Sequence, residues 1–202
     1  MIYDFTCTCK TYNKASYKKE FFKFTPCTAC PAIGRFNLHG SYERYVVYFE
    51  KLQTIEYKLL EIKRVICKSC STTHAVMPGD IIPYKTLALF ALFLILVSIY
   101  MKKSPVLEIV KVLGSSAQFI YSVKHIFHVH INNIRQYFRE VSQGTMPPVL
   151  DAHSILTLIK EPCLDFQFGY IKYNRRPCFM RKFFYKGGAP PVGLYAPAGA
   201  AT

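Results

Sequence analysis

The chain lacks the sequence features of an enzyme. Its 202 residues contain no glycine-rich phosphate-binding loop and no nucleophile motif. Acidic residues are scarce, with 12 against 26 lysines and arginines, and only Asp151, Glu161 and Asp165 follow residue 140. Carboxylates in so short and poorly patterned a segment cannot build a domain that holds two metal ions for phosphoryl transfer. We therefore expect a non-catalytic protein.

Targeting segments are also missing or incomplete. Residues 1–7 lack a basic region followed by an apolar stretch, so we expect no secretory signal, reduced cysteines and a cytoplasmic location. The apolar run at residues 87–101 falls short of the roughly 20 residues that span a bilayer, and a buried helix suits its length better. The alternative is a membrane-associated protein anchored by residues 81–101, because Lys102 and Lys103 would suit a cytoplasmic border.

Positive charge dominates the chain, which carries a formal net charge of +14 spread through every segment. Such a positive charge favours a polyanionic partner. DNA or RNA is the commonest such partner, and an anionic membrane surface is the alternative. Charge alone does not choose between these partners, and a basic balance also serves solubility.

Two cysteine pairs stand at metal-ligand spacing, Cys27-Thr-Ala-Cys30 and Cys67-Lys-Ser-Cys70. Between them, residues 42–49 and 55–66 largely alternate apolar and charged side chains, which predicts two strands joined around residues 50–53. Such a hairpin would bring both pairs to one tetrahedral thiolate site, and we expect that site to hold zinc. The alternative is four merely buried or reduced cysteines.

The remaining candidate ligands have no partner at suitable spacing. We expect Cys7, Cys9, Cys163 and Cys178 to be free thiols. His74 could replace a sulfur, but a histidine just past such a cysteine pair is more often a polar surface residue.

Residues 104–127 predict two helices separated by a short turn. Ser104 and Pro105 predict a capped start, Gly114 ends the first helix, and helical spacing resumes at Ala117. Apolar residues fall where a helix-turn-helix places its packing residues, namely Ile109, Leu113, Ile120 and Val123. We therefore expect a helix-turn-helix, the alternative being an ordinary helical hairpin with a solvated polar face.

In a helix-turn-helix, the start of the second helix enters the major groove of double-stranded DNA. The residues expected to face the DNA are Ser116, Ala117, Gln118, Tyr121, Ser122 and His125. Gln118 is the best reader of a base, because a glutamine bonds adenine in bidentate fashion. Lys124, Arg135 and Arg139 are better placed to neutralise phosphates. We expect the nearby His128 and His130 to be partly exposed beside phosphate rather than metal ligands.

The last third of the chain is poorly patterned. We place a linker after residue 141 and a short apolar element at residues 155–159. Residues 174–186 interleave cations with aromatic residues, a composition that suits base stacking or, equally, a flexible basic tail. Residues 187–202 are rich in glycine, proline and alanine, and we expect them to be disordered.

Short motifs flank the two cysteine pairs. These motifs are His39-Gly40-Ser41-Tyr42-Glu43-Arg44, Thr73-His74-Ala75-Val76-Met77-Pro78 and Ile82-Pro83-Tyr84. With them, the stretch from Cys27 to about Arg139 resembles an uncharacterised bacterial family that is itself similar to the N-terminal zinc-ribbon and helix-turn-helix portion of insertion-sequence transposases. The resemblance implies zinc on Cys27, Cys30, Cys67 and Cys70, a DNA partner, and an apolar run that lies within the DNA-binding bundle. Glycine often follows each pair in that family, but Pro31 and Ser71 stand there in this chain.

We therefore expect an α+β fold, with a zinc-ribbon β-hairpin module, a small helical helix-turn-helix bundle and a largely irregular C-terminal tail. The expected divisions are residues 1–24 as an N-terminal extension, 25–80 as the ribbon, 81–140 as the bundle and 141–202 as linker and basic tail. The predicted protein is a zinc-containing DNA-binding module derived from a transposase, as a truncated relic or a regulator.

Overall fold

Two long strands form where the sequence alternates apolar and polar side chains. β2 (Phe36–Phe49) and β3 (Ile55–Cys67) pair antiparallel along their whole lengths, with the first residue of β2 opposite the last residue of β3. Leu60 and Ile62 are buried on one face of β3, whereas the intervening Glu61 faces the other side. This confirms the predicted hairpin, although its turn lies outside the described residues.

The computed structural model describes residues 1–12, 19–49, 55–141, 150–159, 163–174, 178–179 and 193–195. It is an α+β fold, as predicted. Besides β2 and β3, its elements are β1 (Ile2–Asp4), α1 (Lys19–Lys23), β4 (Thr73–Pro78), α2 (Leu89–Tyr100), α3 (Val106–Leu113), α4 (Ala117–Val141), α5 (Ala152–Ile159), α6 (Cys163–Asn174) and β5 (Gly193–Tyr195).

The five strands form one mixed sheet in the order β2-β3-β4-β1-β5. β4 pairs antiparallel with β3, and β1 lies parallel to both β4 and β5. Ile2 and Tyr3 of β1 are fully buried, so the predicted N-terminal extension contributes a central strand. β5 lies within the segment expected to be disordered, and the other residues of that segment are outside the described part of the chain.

The apolar run forms α2, a helix of 12 residues whose side chains are buried on most sides. Leu89, Leu92 and Leu96 are at most 1% exposed, and the helix packs against α3, α4, α5 and β2. Within the described ranges, we find no single helix that is both long and apolar enough to cross a bilayer. α3 and α4 have the length and apolar composition of a membrane span only when taken together, and the chain bends by 114° at the break between them.

The predicted helix pair is present, but its first cap differs from expectation. Pro105 occupies the N-cap position of α3 and no side chain caps the helix, so the prediction of a capping Ser104 is wrong because that serine lies one residue too far back. Gly114 ends α3 with a φ of +55°, a left-handed conformation that glycine adopts without steric cost. Ser116 then caps α4, because its Oγ accepts a hydrogen bond from the Phe119 N–H at 3.1 Å.

The residues predicted to pack the two helices together are all buried, and they are Ile109, Leu113, Ile120 and Val123. They belong to the largest core cluster of the described residues, which also includes most of the buried side chains of α2. The two predicted helices and the burial of these four residues are therefore confirmed, whereas the helix-turn-helix and its use in DNA binding stay predictions.

Two further helices lie in the segment assigned to linker and tail. α5 contains the predicted apolar element and buries Ile155, Leu156 and Ile159 in the helical core. Its first turn is capped by Asp151, whose Oδ1 accepts a hydrogen bond from the Ser154 N–H at 2.7 Å. α6 packs against α4 through clustered aromatic rings, with Phe166 and Tyr170 on Tyr137.

Candidate metal centre

The sulfur atoms of Cys27, Cys30, Cys67 and Cys70 all lie within 4.8 Å of one another. The Cys27–Cys70 and Cys30–Cys67 sulfur pairs are each separated by 3.7 Å. A regular tetrahedron with metal–sulfur bonds of about 2.3 Å would place its sulfurs about 3.8 Å apart. The predicted convergence of the four cysteines is thus confirmed, and the group could hold a metal ion.

The first cysteine pair lies in the loop between α1 and β2. The Cys27 N–H donates to the Ala32 carbonyl at 2.8 Å, which closes the loop around the pair. Gly34 follows with a φ of +71°, and a Cβ there would lie only 2.6 Å from the carbonyl oxygen of Lys23. Glycine is therefore required where the loop turns back beside α1.

The second pair repeats this backbone pattern at the junction of β3 and β4. The Cys67 N–H donates to the Thr72 carbonyl at 3.0 Å, and the Ser71 N–H donates to the Cys67 carbonyl at 2.9 Å. Ser71 has a φ of +57°, a left-handed conformation that glycine adopts without steric cost. A hydrogen bond of 2.8 Å from the Lys68 N–H to the Arg35 carbonyl ties the two loops together.

The surroundings of the second pair stabilise thiolates. Hydrogen bonds from the hydroxyl and the backbone N–H of Thr72 lower the pKa of Cys70 to about 6. For Cys67, burial acts to raise the pKa, but N–H groups of the same loop reverse the effect and the pKa is lowered. Hydrogen bonds within this loop therefore favour the thiolate form of both sulfurs of the second pair.

The thiols of the first pair, in contrast, have raised pKa values. Burial raises the pKa of Cys27, against opposing hydrogen bonds from backbone N–H groups. For Cys30, a backbone hydrogen bond from Ala32 favours the thiolate, but burial and the neighbouring sulfurs raise the pKa to about 12. Four thiolates so close together repel one another, and a divalent cation among them is what would compensate their charge.

His74 lies behind the first pair. It is only 2% exposed, so the expectation that it is a surface residue is wrong; β4, on which it lies, is covered on both faces. Its Nε2 is 3.4 Å from Cys27 Sγ, and its Nδ1 is 3.1 Å from Thr28 Oγ1 and 3.3 Å from the Met1 backbone nitrogen. Burial, with a smaller contribution from the N-terminal charge, lowers the pKa of His74 to about 4, so the imidazole is neutral.

The other cysteines lie away from this centre. Cys7 and Cys9 are buried free thiols, as predicted, and Cys178 is also buried, whereas the Cys163 side chain is outside the described part. Burial, reinforced by nearby carboxylates, raises the pKa of both Cys7 and Cys9. The Cys9 N–H donates to Oδ1 of buried Asp80 at 2.7 Å, so this region is a hydrogen-bonded part of the core.

The residues predicted to contact DNA lie mostly on the exposed side of α4. Ser116, Gln118, Tyr121, Ser122, His125 and Arg139 are exposed, and Ala117, Lys124 and Arg135 are half-buried. Arg135 donates from Nε to the Leu150 carbonyl at 2.6 Å, so this side chain links α4 to the start of α5.

Two nearby histidines differ from each other. His128 is exposed and its Nε2 lies 2.7 Å from the Tyr100 hydroxyl, whereas His130 is 5% exposed against Phe179. The expectation of a partly exposed His130 is therefore wrong, because the ring of Phe179 packs against it. The basic and aromatic residues 175–177 and 180–186 lie outside the described residues.

Residues 27–103 match the model of a family described as a domain of unknown function (DUF6431). The matched segment contains all four clustered cysteines, the three flanking motifs and α2. No curated protein and no solved structure matches the chain.

Proposed function

We propose that this chain is a non-catalytic, zinc-containing protein that binds double-stranded DNA. The observation that carries the proposal is the convergence of four cysteine sulfurs within 4.8 Å at the end of a β-hairpin. Four thiolates in tetrahedral reach are the donor set of structural zinc sites, which leave no open position for a substrate. Zinc would therefore serve the fold and not a reaction.

The ion would link parts of the chain that are distant in sequence. Cys27 and Cys30 belong to the loop before β2, whereas Cys67 and Cys70 belong to the junction of β3 and β4. Binding of all four would fasten α1 and both ends of the hairpin to the central strands. In small zinc modules such binding contributes directly to the free energy of folding.

The DNA-binding part of the proposal is supported by α3 and α4. They meet at 114°, within the range of about 90–120° for helix-turn-helix pairs. The first turns of α4 expose Gln118, Tyr121 and His125 to solvent. In a chain with a net charge of +14, such a helix suits the major groove, with Gln118 as the reader of adenine.

The phosphate contacts that we propose differ in strength. Arg139 is exposed near the end of α4, and Lys124 is half-buried nearer its start. Arg135 already donates a hydrogen bond to the Leu150 carbonyl, so its proposed phosphate contact is weaker than those of Lys124 and Arg139. We further propose that the module derives from the DNA-binding portion of a transposase and acts in the cytoplasm as a regulator or persists as a truncated relic.

A salt titration of DNA binding tests the function. A selection from random duplexes would first supply a preferred sequence, and affinity for it would then be measured against salt concentration. Each phosphate contacted contributes about 0.9 to the slope of log affinity against log salt. We expect a steep slope in the wild type and a slope smaller by about 0.9 in Arg139→Gln. A flat curve would contradict DNA binding.

Sequence reading is tested by a pair of glutamine variants on the same helix. Gln118→Ala should lose about 1–3 kcal/mol of preference for the selected sequence, because a bidentate base contact is removed. Gln136→Ala is the matched control, because Gln136 is exposed near the far end of α4 and donates to Glu140 at 3.2 Å. Equal losses in the two variants would contradict the proposed orientation of α4.

A further inference from the structure

The position of His74 is set by the sheet. It lies near the start of β4, opposite Val65 of β3, and two residues later Val76 pairs with Ile2 of β1. β4 is therefore held by strands on both sides, and the ring of His74 is 2% exposed. A buried imidazole needs partners for both ring nitrogens, since burial removes the water that would otherwise satisfy them.

Both nitrogens have partners that belong to the first cysteine loop or lie beside it. Nδ1 has two neighbours that carry donor hydrogens, the Thr28 hydroxyl at 3.1 Å and the Met1 backbone nitrogen at 3.3 Å. With Nδ1 accepting, a neutral imidazole carries its hydrogen on Nε2. Nε2 faces Cys27 Sγ at 3.4 Å, within hydrogen-bond distance of a sulfur.

We infer that His74 is a positioning residue of the metal centre, which donates a hydrogen bond from Nε2 to Cys27 Sγ while Thr28 holds the imidazole in the required tautomer. The inference rests on the proposed zinc binding. The four sulfurs already provide a complete tetrahedral set, so His74 acts on the ion through Cys27 and not as a ligand.

The physical effect is to favour the thiolate form of Cys27. Cys27 is 8% exposed and Thr28 is likewise 8% exposed, so little water reaches the Cys27 sulfur. An N–H donor at that sulfur stabilises its negative charge and fixes the side chain in the ligand orientation. Removal of such outer partners in metal sites costs about 10–100-fold in metal affinity.

Three variants separate the effect of the N–H donor from the effect of the volume that the His74 ring fills. His74→Leu removes the donor but keeps an apolar side chain of moderate size, and His74→Gln restores an N–H donor. Thr28→Val removes the hydroxyl that orients the ring and keeps the shape of the side chain. His39→Leu is the matched control, because His39 lies exposed on β2. Zinc affinity would be measured by competition with a chromogenic chelator, and the ligand set by the absorption spectrum with Co²⁺.

We expect His74→Leu to bind zinc about 10–100-fold more weakly than the wild type, with a Co²⁺ spectrum that still reports four sulfurs. His74→Gln should recover most of the affinity. Thr28→Val should weaken binding by a smaller factor, and it should add nothing in a His74→Leu background because the ring it orients is then gone. His39→Leu should bind as the wild type does.

Several results would overturn the inference. Wild-type affinity in both His74→Leu and Thr28→Val would show that the hydrogen bond has no effect on the metal. A Co²⁺ spectrum that changes from mixed sulfur and nitrogen ligation to sulfur alone in His74→Leu would make His74 a ligand. If His74→Leu does not fold, wild-type zinc affinity in Thr28→Val would refute the proposed orientation of the donor. Absence of zinc from the wild type would refute the proposed function itself.

Discussion

Substitution of Ser71 by glycine should stabilise the metal-loaded protein. Ser71 has a φ of +57°, a conformation that costs an L-residue about 1–2 kcal/mol. Glycine removes that cost but adds about 0.5–1 kcal/mol of conformational entropy to be lost on folding. The Ser71 side chain is exposed, and the hydrogen bond from its N–H to the Cys67 carbonyl is kept in the variant. The net expectation is about 0.5–1 kcal/mol of added stability.

Urea unfolding of the zinc-loaded protein would measure the change, and thermal unfolding should show a rise in Tm of about 1–4 °C for a chain of this size. Ser69→Gly is the control in the same loop, because Ser69 is exposed and is not among the described residues with positive φ. It should lose about 0.5–1 kcal/mol through the entropy term alone. If Ser71→Gly is no more stable than Ser69→Gly, the strain assigned to the second cysteine loop is wrong.

Three further predictions concern the loops, the thiols and the core. Gly34→Ala should destabilise the fold more than Gly114→Ala in urea unfolding. A Cβ at Gly34 would lie 2.6 Å from a backbone oxygen of α1, whereas a Cβ at Gly114 would meet nothing within 4 Å. Equal losses of about 1–2 kcal/mol in the two variants would mean that only the left-handed conformation matters. Zinc affinity should rise with pH around neutrality by at least about 100-fold per unit, because the two thiols with raised pKa must each release a proton when the ion binds. Competition with a chelator of known pH dependence would measure this rise, and an affinity independent of pH would contradict the assigned protonation. Leu96→Ala should lose about 2–5 kcal/mol of stability by opening a cavity, since Leu96 is fully buried in α2. Phe90 is 41% exposed on the same helix. A loss in Leu96→Ala no larger than the loss in Phe90→Ala would show that α2 is not a core helix.

The hairpin and the cluster of four cysteines could be predicted because each depends on residues that are close together in the sequence. Alternation along β2 and β3 determines which side chains face the core, and pairing of the two strands then brings Cys67 close to the loop that holds Cys30. The spacing within each cysteine pair allows both sulfurs to reach one ion. These features depend little on the rest of the fold.

The remaining features depend on contacts between distant segments. β1 has only three residues and no alternation to reveal it, and it becomes a central strand because β4 and β5 pair with it. His74 is buried for the same reason, since β4 acquires neighbours on both sides only when β1 is in place. α6 shows no clear amphipathic pattern in the sequence, and it is held by aromatic contacts with α4 such as that of Phe166 with Tyr137.

Metal analysis of the purified protein tests the central claim most directly. Wild-type protein should contain one tightly bound zinc ion per chain, whereas Cys67→Ser should lose it, because Cys67 lies 3.7 Å from the Cys30 sulfur within the ligand group. Cys178→Ser, which changes a buried thiol outside that group, should retain the zinc. Wild-type protein that folds without metal, or Cys67→Ser that keeps a full complement of zinc, would contradict the four-thiolate centre.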